Sequence, residues 1–267
     1  MPGEATLTTM KQLPSYGFVG AGEIAAAIVT GLATGVDEPP TIFLSPRGRA
    51  VASELASRFP TVHVCADNQE VLDRAAVVLV AVRPNVAAEV LAQLRFHPQH
   101  VVLSALAGVR LDKLRAWTAP AGVVVRTIPL PTAAHAASLT AMFPDHAVAR
   151  ELFGRVGGVL VPADEPALDA FSAATATFAA HLDYLATIAT WLTDHGVDSD
   201  AATGYVRHVF GQLGQTLLRH NGSLDALAER HMTPGGINLQ LRTDLRDAGT
   251  PEVLRRALDG VLARLTS

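Results

Sequence analysis

The sequence predicts a doubly wound parallel α/β sheet followed by an all-helical segment, and three observations carry that reading. Short apolar strands alternate with helical patterns from Tyr16 to Val161, the mark of repeated parallel β-α units. After Pro162-Ala-Asp-Glu-Pro166 no strand pattern returns, and helical periodicity alone continues. With 267 residues, 49% of them hydrophobic, the chain can build a substantial core in one large domain or two modest ones.

Taken in order, an apolar strand at Tyr16–Gly20 runs straight into Ala21-Gly-Glu-Ile-Ala25 and an Ala/Ile/Leu-rich helix reaching Leu32. Strands are expected at Thr41–Leu44, Val62–Cys65, Val77–Val82, Val101–Ala105 and Val123–Arg126. Helices fall between them at Arg49–Phe59, Asn68–Asp73, Val86–Leu94 and Leu111–Trp117. Two more strands, Leu139–Phe143 and Gly158–Val161, complete a first domain at residues 1–162. The second domain, 163–267, reads as helices at Leu168–His195, Asp198–His220, Ser223–Glu229, Pro234–Asp247 and Pro251–Leu265. The first of these is apolar on nearly every side (Phe171, Phe178, Leu182, Leu185, Ile188, Trp191), a pattern that demands burial. In so small a domain that predicts a second subunit wrapped around it, hence a homodimer.

Composition closes several classes. Gly 21 and Pro 16 sit near background, so collagen-like and low-complexity chains are excluded. With 21 basic against 25 acidic residues there is no basic surplus for a phosphate backbone, and nucleic acid is not an expected partner. The one cysteine, Cys65, allows neither an intrachain disulfide nor a cysteine-rich metal site. Met1–Thr6 lacks an apolar stretch of signal-peptide length, and no run approaches the ~18 apolar residues of a membrane span. The expected setting is cytoplasmic and reducing. His97-Pro-Gln-His100 reads as a loop because the proline breaks any ligand face, so no metal site is expected. Ser104 and Ser138 lack a nucleophile-elbow context, which leaves hydrolase chemistry unsupported.

Gly20-x-Gly22-x-x-Ala25 lies where a dinucleotide needs it. Gly20 permits the tight turn, Gly22 lets backbone approach a pyrophosphate, and Ala25 lets helix and strand pack closely. The helix start at Glu23 and Ile24 then points N–H groups and a partial positive charge at phosphate. This makes the first domain a Rossmann-type nucleotide binder. An acid at the end of the second strand would favour NAD, but the chain has Ser45-Pro-Arg47-Gly-Arg49. A hydroxyl and two guanidiniums suit a 2′-phosphate, so NADP(H) is the expected cofactor.

These residues resemble the pyrroline-5-carboxylate reductases, which reduce a cyclic imine to proline with NAD(P)H. The matching pieces are Gly17-Phe-Val-Gly-Ala-Gly-Glu-Ile-Ala25, Asp67-Asn68, Ala81-Val-Arg-Pro-Asn85, Ser104-Ala-Leu-Ala-Gly108, Val125-Arg-Thr-Ile-Pro129 and Thr233-Pro-Gly-Gly236. The resemblance implies a Rossmann domain, a helical domain that interleaves with its twin in a dimer or a larger ring of dimers, and an active site between the domains. It places Asn68 near the adenosine ribose, Ala81, Val82, Arg83 and Pro84 along the cofactor, and Pro129 facing the nicotinamide. It also implies that Pro234, Gly235 and Gly236 open a helix whose amides hold the substrate carboxylate, with Thr233 supplying a hydrogen bond.

The departures fall on the substrate side. The family's Pro-Asn-Thr-Pro is Pro129-Leu130-Pro131-Thr132 here, and its Ser-Gly-Ser-Gly-Pro-Ala-Tyr aligns onto Thr175-Ala-Thr177-Phe178-Ala-Ala-His181. A threonine near the substrate nitrogen is replaced by Asn238. Imine reduction needs a hydride on carbon and a proton on nitrogen, unless the substrate arrives as an iminium. Thr177, His181 and Tyr184 share one helix face at i, i+4, i+7, so His181 is the expected proton donor or anchor and Tyr184 the second. Asp183 and His231 are expected to be ordinary polar groups. The alternatives are a relative that reduces a different acceptor and a non-catalytic NADP-binding dimer.

Overall fold

The computed structural model describes residues 14–266, so the expectation drawn from Met1–Thr6 lies outside the described residues. Its sheet comprises β1 (Tyr16–Val19), β2 (Ile42–Leu44), β3 (Val62–Val64), β4 (Val77–Val80), β5 (Val101–Ser104), β6 (Val123–Ile128), β7 (Ser138–Phe143) and β8 (Gly157–Leu160). The spatial order is β3-β2-β1-β4-β5-β6-β7-β8. Tyr16 pairs with Ile42 on one side and Val77 on the other, so the strand order reverses at β1. The crevice at the carboxyl ends of β1 and β4 is where an open α/β sheet takes its ligand.

Helices α1 (Glu23–Ala33), α2 (Arg49–Arg58), α3 (Asn68–Arg74), α4 (Pro84–Ala92), α5 (Leu111–Trp117) and α6 (Ala147–Arg155) cover the sheet. The strands send alternate side chains to opposite faces, as the pleat requires. Phe18, Leu79, Leu103 and Val125 join Ile28, Leu55 and Phe153 in one buried cluster. Val19, Val78, Val80, Val102 and Val124 join Leu72, Leu91 and Leu114 in the other.

Three features differ from the sequence expectation. The sheet is not parallel throughout: β7 runs antiparallel to β6, and β8 follows β7. Nine residues, including the 3-10 turn Pro131–His135, separate β6 from β7, and so short a link joins antiparallel neighbours, whereas a parallel crossover needs a dozen residues or more. Helix α6 was not foreseen, although Ala149, Leu152 and Phe153 bury at i, i+3, i+4. The long helix expected from Leu168 to His195 is two, α7 (Glu165–Thr175) and α8 (Thr177–Asp194). At the break Ala176 N–H bonds to Ala173 O, a tightened turn, and the Thr177 hydroxyl donates to Ala174 O.

The chain forms two compact units, one ending at Ser172 but taking in Leu265 and Thr266, the other spanning Ala173–Arg264. The second unit contains α8, α9 (Ser199–Arg219), α10 (Leu224–Arg230) and α11 (Ile237–Asp247), with most of α12 (Thr250–Thr266). Gly196, at φ +87°, turns the chain out of α8, and Asp198 caps α9 by accepting from the Asp200 and Ala201 amides. α8, α11 and α12 bury no residue in the chain alone. Leu182 stays 65% exposed and Trp191 57%.

Candidate active site

The nucleotide loop is built by strand β1 ending against strand β4. Gly20 adopts φ +104°, and a Cβ there would lie 2.6 Å from the Ala81 carbonyl oxygen. Only glycine meets both demands. Gly22 caps α1 with no side-chain partner, and nothing lies within 4 Å of the position its Cβ would take. That open space above the amides of Glu23 and Ile24 is a cradle of the kind a dinucleotide pyrophosphate fills, so the residues fit the expected cofactor.

The second loop packs on the first. Gly48, at φ +88°, would place a Cβ 2.5 Å from the Ala21 carbonyl oxygen. Ser45 is fully buried and its Oγ accepts from the Gly20 amide at 2.9 Å. The Ser45 hydroxyl thus braces the glycine loop from beneath. Arg47 and Arg49 are exposed and make no ion pair with the described residues. Asn68 opens α3 beside its cap Asp67, whose side chain accepts from Glu70 N–H. Ala81 donates to Val19 O, Arg83 caps α4 from an exposed position, and Pro84 begins that helix. Pro129 is buried just past β6, and Leu130 N–H donates to Ser138 Oγ at 3.1 Å.

The expected substrate-side residues all lie in the second unit. Thr233 O accepts from Gly236 N–H at 2.9 Å around Pro234 and Gly235, whose φ is +73°. A Cβ on Gly236 would collide with Thr233 Oγ1. Helix α11 starts immediately after, and the Ile237, Asn238 and Leu239 amides have no acceptor among the described residues. His181 stacks on Tyr184 with ring centroids 6.2 Å apart and planes at 19°, and Phe210 meets Tyr184 edge-on. Tyr184 and Asn238 line one groove of about 420 Å³ with Leu241, Leu245, Pro251 and Leu254. Asn238 Nδ2 donates to His231 O at 2.9 Å, which orients that amide and leaves its oxygen to accept. The Thr177 hydroxyl donates to Ala174 O and keeps its oxygen as an acceptor.

Burial, not catalysis, accounts for the shifted core groups. Burial pushes the Tyr16 hydroxyl up to about 12 and the Cys65 thiol up to about 11. Burial also lowers His100, whose Nδ1 accepts from His97 N–H while Nε2 faces Leu72 O. Among the described residues no group of three or more His, Cys, Asp or Glu could hold a metal. No described helix is long and apolar enough to cross a membrane.

Sequence reasoning gave no role to a buried ionic cluster on the first unit. Arg126, 4% exposed on β6, reaches Glu165 at 2.7 Å and Asp169 at 2.6 Å, and Arg110 completes the set at 3.3 and 3.6 Å. The available signal was an arginine inside the apolar run Val123-Val-Val-Arg-Thr-Ile128.

Residues 15–108 match the family described as "NADP oxidoreductase coenzyme F420-dependent". A pyrroline-5-carboxylate reductase from Synechocystis sp. is 30% identical over 189 residues, covering 68% of this chain and 69% of that protein. The chain belongs to the pyrroline-5-carboxylate reductase family. The family's fold extends over the whole molecule. A 1-pyrroline-5-carboxylate reductase from Streptococcus pyogenes superposes with TM-score 0.81 at 21% identity, covering 95% of this chain and 98% of that one. A Plasmodium falciparum pyrroline carboxylate reductase solved with NADP bound gives TM-score 0.78 at 15% identity, covering 96% and 98%. As a member of this family the chain is an NADP(H)-dependent oxidoreductase.

Proposed function

We propose that this reductase uses NADPH to reduce a cyclic carbon–nitrogen double bond, with pyrroline-5-carboxylate, and hence proline formation, as the first substrate to test. The observation that carries the reading is the Thr233–Gly236 turn. It opens α11 with three amides that have no acceptor among the described residues, and the middle one belongs to Asn238, whose side chain is oriented by His231 O. Amides at a helix start bind a carboxylate well, and the family's substrate carries one beside its C=N bond.

The cradle of Gly20, Gly22 and the α1 amides would hold the pyrophosphate, and Asn68 would reach the ribose. Arg47 and Arg49 would receive the 2′-phosphate, Ala81 to Pro84 would line the dinucleotide, and Pro129 would back the nicotinamide. Bound NADPH supplies the hydride. His181, exposed and stacked on Tyr184, is the proposed general acid that delivers a proton to nitrogen, with Tyr184 as the second donor. Asn238 cannot protonate, but its oxygen accepts a hydrogen bond from an iminium N–H. The uncovered apolar side chains of α8, Leu182 and Trp191 among them, support a homodimer.

The test is incubation with NADPH and pyrroline-5-carboxylate, with the product identified by mass spectrometry. Proline is the expected product. Stoichiometric NADPH binding with no proline, but with a reduced product from another cyclic imine, would keep the reaction class and replace the substrate.

A further inference from the structure

A cluster in which Arg126 and Asp169 are buried, Glu165 is nearly so and the half-exposed Arg110 closes the outer edge calls for a reason. Burying such groups gives little net stability, because desolvation offsets their attraction, whereas their fixed geometry can specify a single arrangement. The geometry here is specific. Arg126 Nη1 donates to Glu165 Oε1 at 2.7 Å, and Nη2 donates to Asp169 Oδ1 at 2.6 Å, one turn further along α7. Glu165 Oε1 also accepts from the Leu111 amide at 2.7 Å. It thereby serves as the missing cap of α5, whose own N-cap, Arg110, makes no side-chain cap bond. One carboxylate thus joins the start of α5, the interior of β6 and the start of α7.

The next residues extend this hold to the loop. Thr127 points to the opposite face and its hydroxyl donates to Ser104 O, tying the ends of β5 and β6. Beyond Ile128 the chain passes through Pro129 to Leu130, whose amide is fixed by Ser138, itself 3.1 Å from Thr140 Oγ1. Pro129–Leu130 is therefore held on its upstream side by Arg126 and Thr127 and on its downstream side by Ser138.

We propose that Arg126, clamped by Glu165 and Asp169, is a positioning residue that makes the Pro129–Leu130 segment and the start of α5 one rigid ledge for the nicotinamide half of the cofactor. This rests on the reading above that Pro129 backs the nicotinamide. Arg126 touches neither cofactor nor substrate and acts through β6.

The experiment compares the parent protein with Arg126→Met, Arg126→Lys and Glu165→Gln. Three readouts are taken: hydrogen exchange, NADPH affinity by fluorescence titration, and steady-state imine reduction. For Arg126→Met, amide exchange over 126–138 and 165–172 should rise at least tenfold. The NADPH Kd should stay within threefold, because the glycine loop holds most of the dinucleotide, while kcat falls at least tenfold. Arg126→Lys should recover more than half of the kcat loss, and Glu165→Gln should reproduce a smaller one. If Arg126→Met does not fold, Arg126→Lys and Glu165→Gln decide alone, with both expected to raise exchange over 126–138. Exchange unchanged in that segment, or kcat at the parent value despite faster exchange, overturns the proposal. A parent that binds NADPH but reduces no imine defeats the functional reading instead, and the exchange data still judge the ledge.

Discussion

The sheet unit and the helical unit solve the burial problem differently. In the first, strands three to six residues long lie between two layers of helices, and Phe18, Leu79 and Leu103 are at most 1% exposed. In the second, α8, α11 and α12 carry Leu182, Trp191, Leu241, Leu245 and Val253 and bury none of them. The sheet unit completes its core within one chain, so its motifs are constrained by its own backbone: Gly20 must be glycine because Ala81 stands against it. The helical unit leaves its apolar faces for something else to cover, and its substrate-side positions are free to change without undoing a core. That is where His181 and Asn238 depart from the family pattern.

The strongest test of this contrast is Gly20→Val. A side chain there meets the Ala81 carbonyl in a backbone region that β-branched residues avoid, so NADPH affinity should fall about 100-fold or more, some 2.7 kcal/mol. Fluorescence titration alongside circular dichroism checks it, and a Kd within threefold of the parent would remove the loop from the cofactor site. Next in size, Leu182→Glu with Trp191→Glu should turn a dimer into a monomer by light scattering at micromolar concentration while NADPH binding persists. A parent that is already monomeric would refute the covered-face reading.

Arg47→Ala should weaken NADPH about tenfold and NADH less than twofold, since only the former carries the 2′-phosphate. Equal losses for both would make Arg47 a general contact. His181→Ala should lower kcat about tenfold on whichever imine the parent reduces, with NADPH affinity unchanged, and full turnover would exclude His181 as donor.

The smallest effect concerns Cys65. Its thiol is pushed up to about 11 by burial, so the folded state favours the protonated form. The stabilisation from this group is complete below the unfolded thiol's ordinary value of about 8.5 and is lost as pH rises from there towards 11. Native protein at pH 8 should therefore resist iodoacetamide, and Cys65→Ser should flatten the decline in stability between pH 8.5 and 11.

Much of this was legible in the residues, for physical reasons that also mark the limit. The strands β1 to β6 announced themselves because a sheet covered on both faces needs nearly continuous apolar runs, as in Val77-Val-Leu-Val80. The reversed pair β7 and β8 was less legible, since strand direction depends on the length and path of the Pro129–Ala137 connection. The break at Ala176 was hidden because alanine and threonine do not interrupt a helical pattern. Ser45 looked like a ligand group from its place in the chain, and only three-dimensional packing shows that it supports Gly20. The Arg110–Arg126–Glu165–Asp169 cluster joins residues up to 59 positions apart, beyond the reach of any local pattern.

The most direct measurement is NADPH oxidation, followed optically, with pyrroline-5-carboxylate and a panel of cyclic imines with and without a carboxylate. A carboxylated imine should be reduced, with NADPH preferred over NADH. NADPH bound stoichiometrically, with no oxidation across the whole panel, would contradict imine reduction and leave a nucleotide-binding protein in its place.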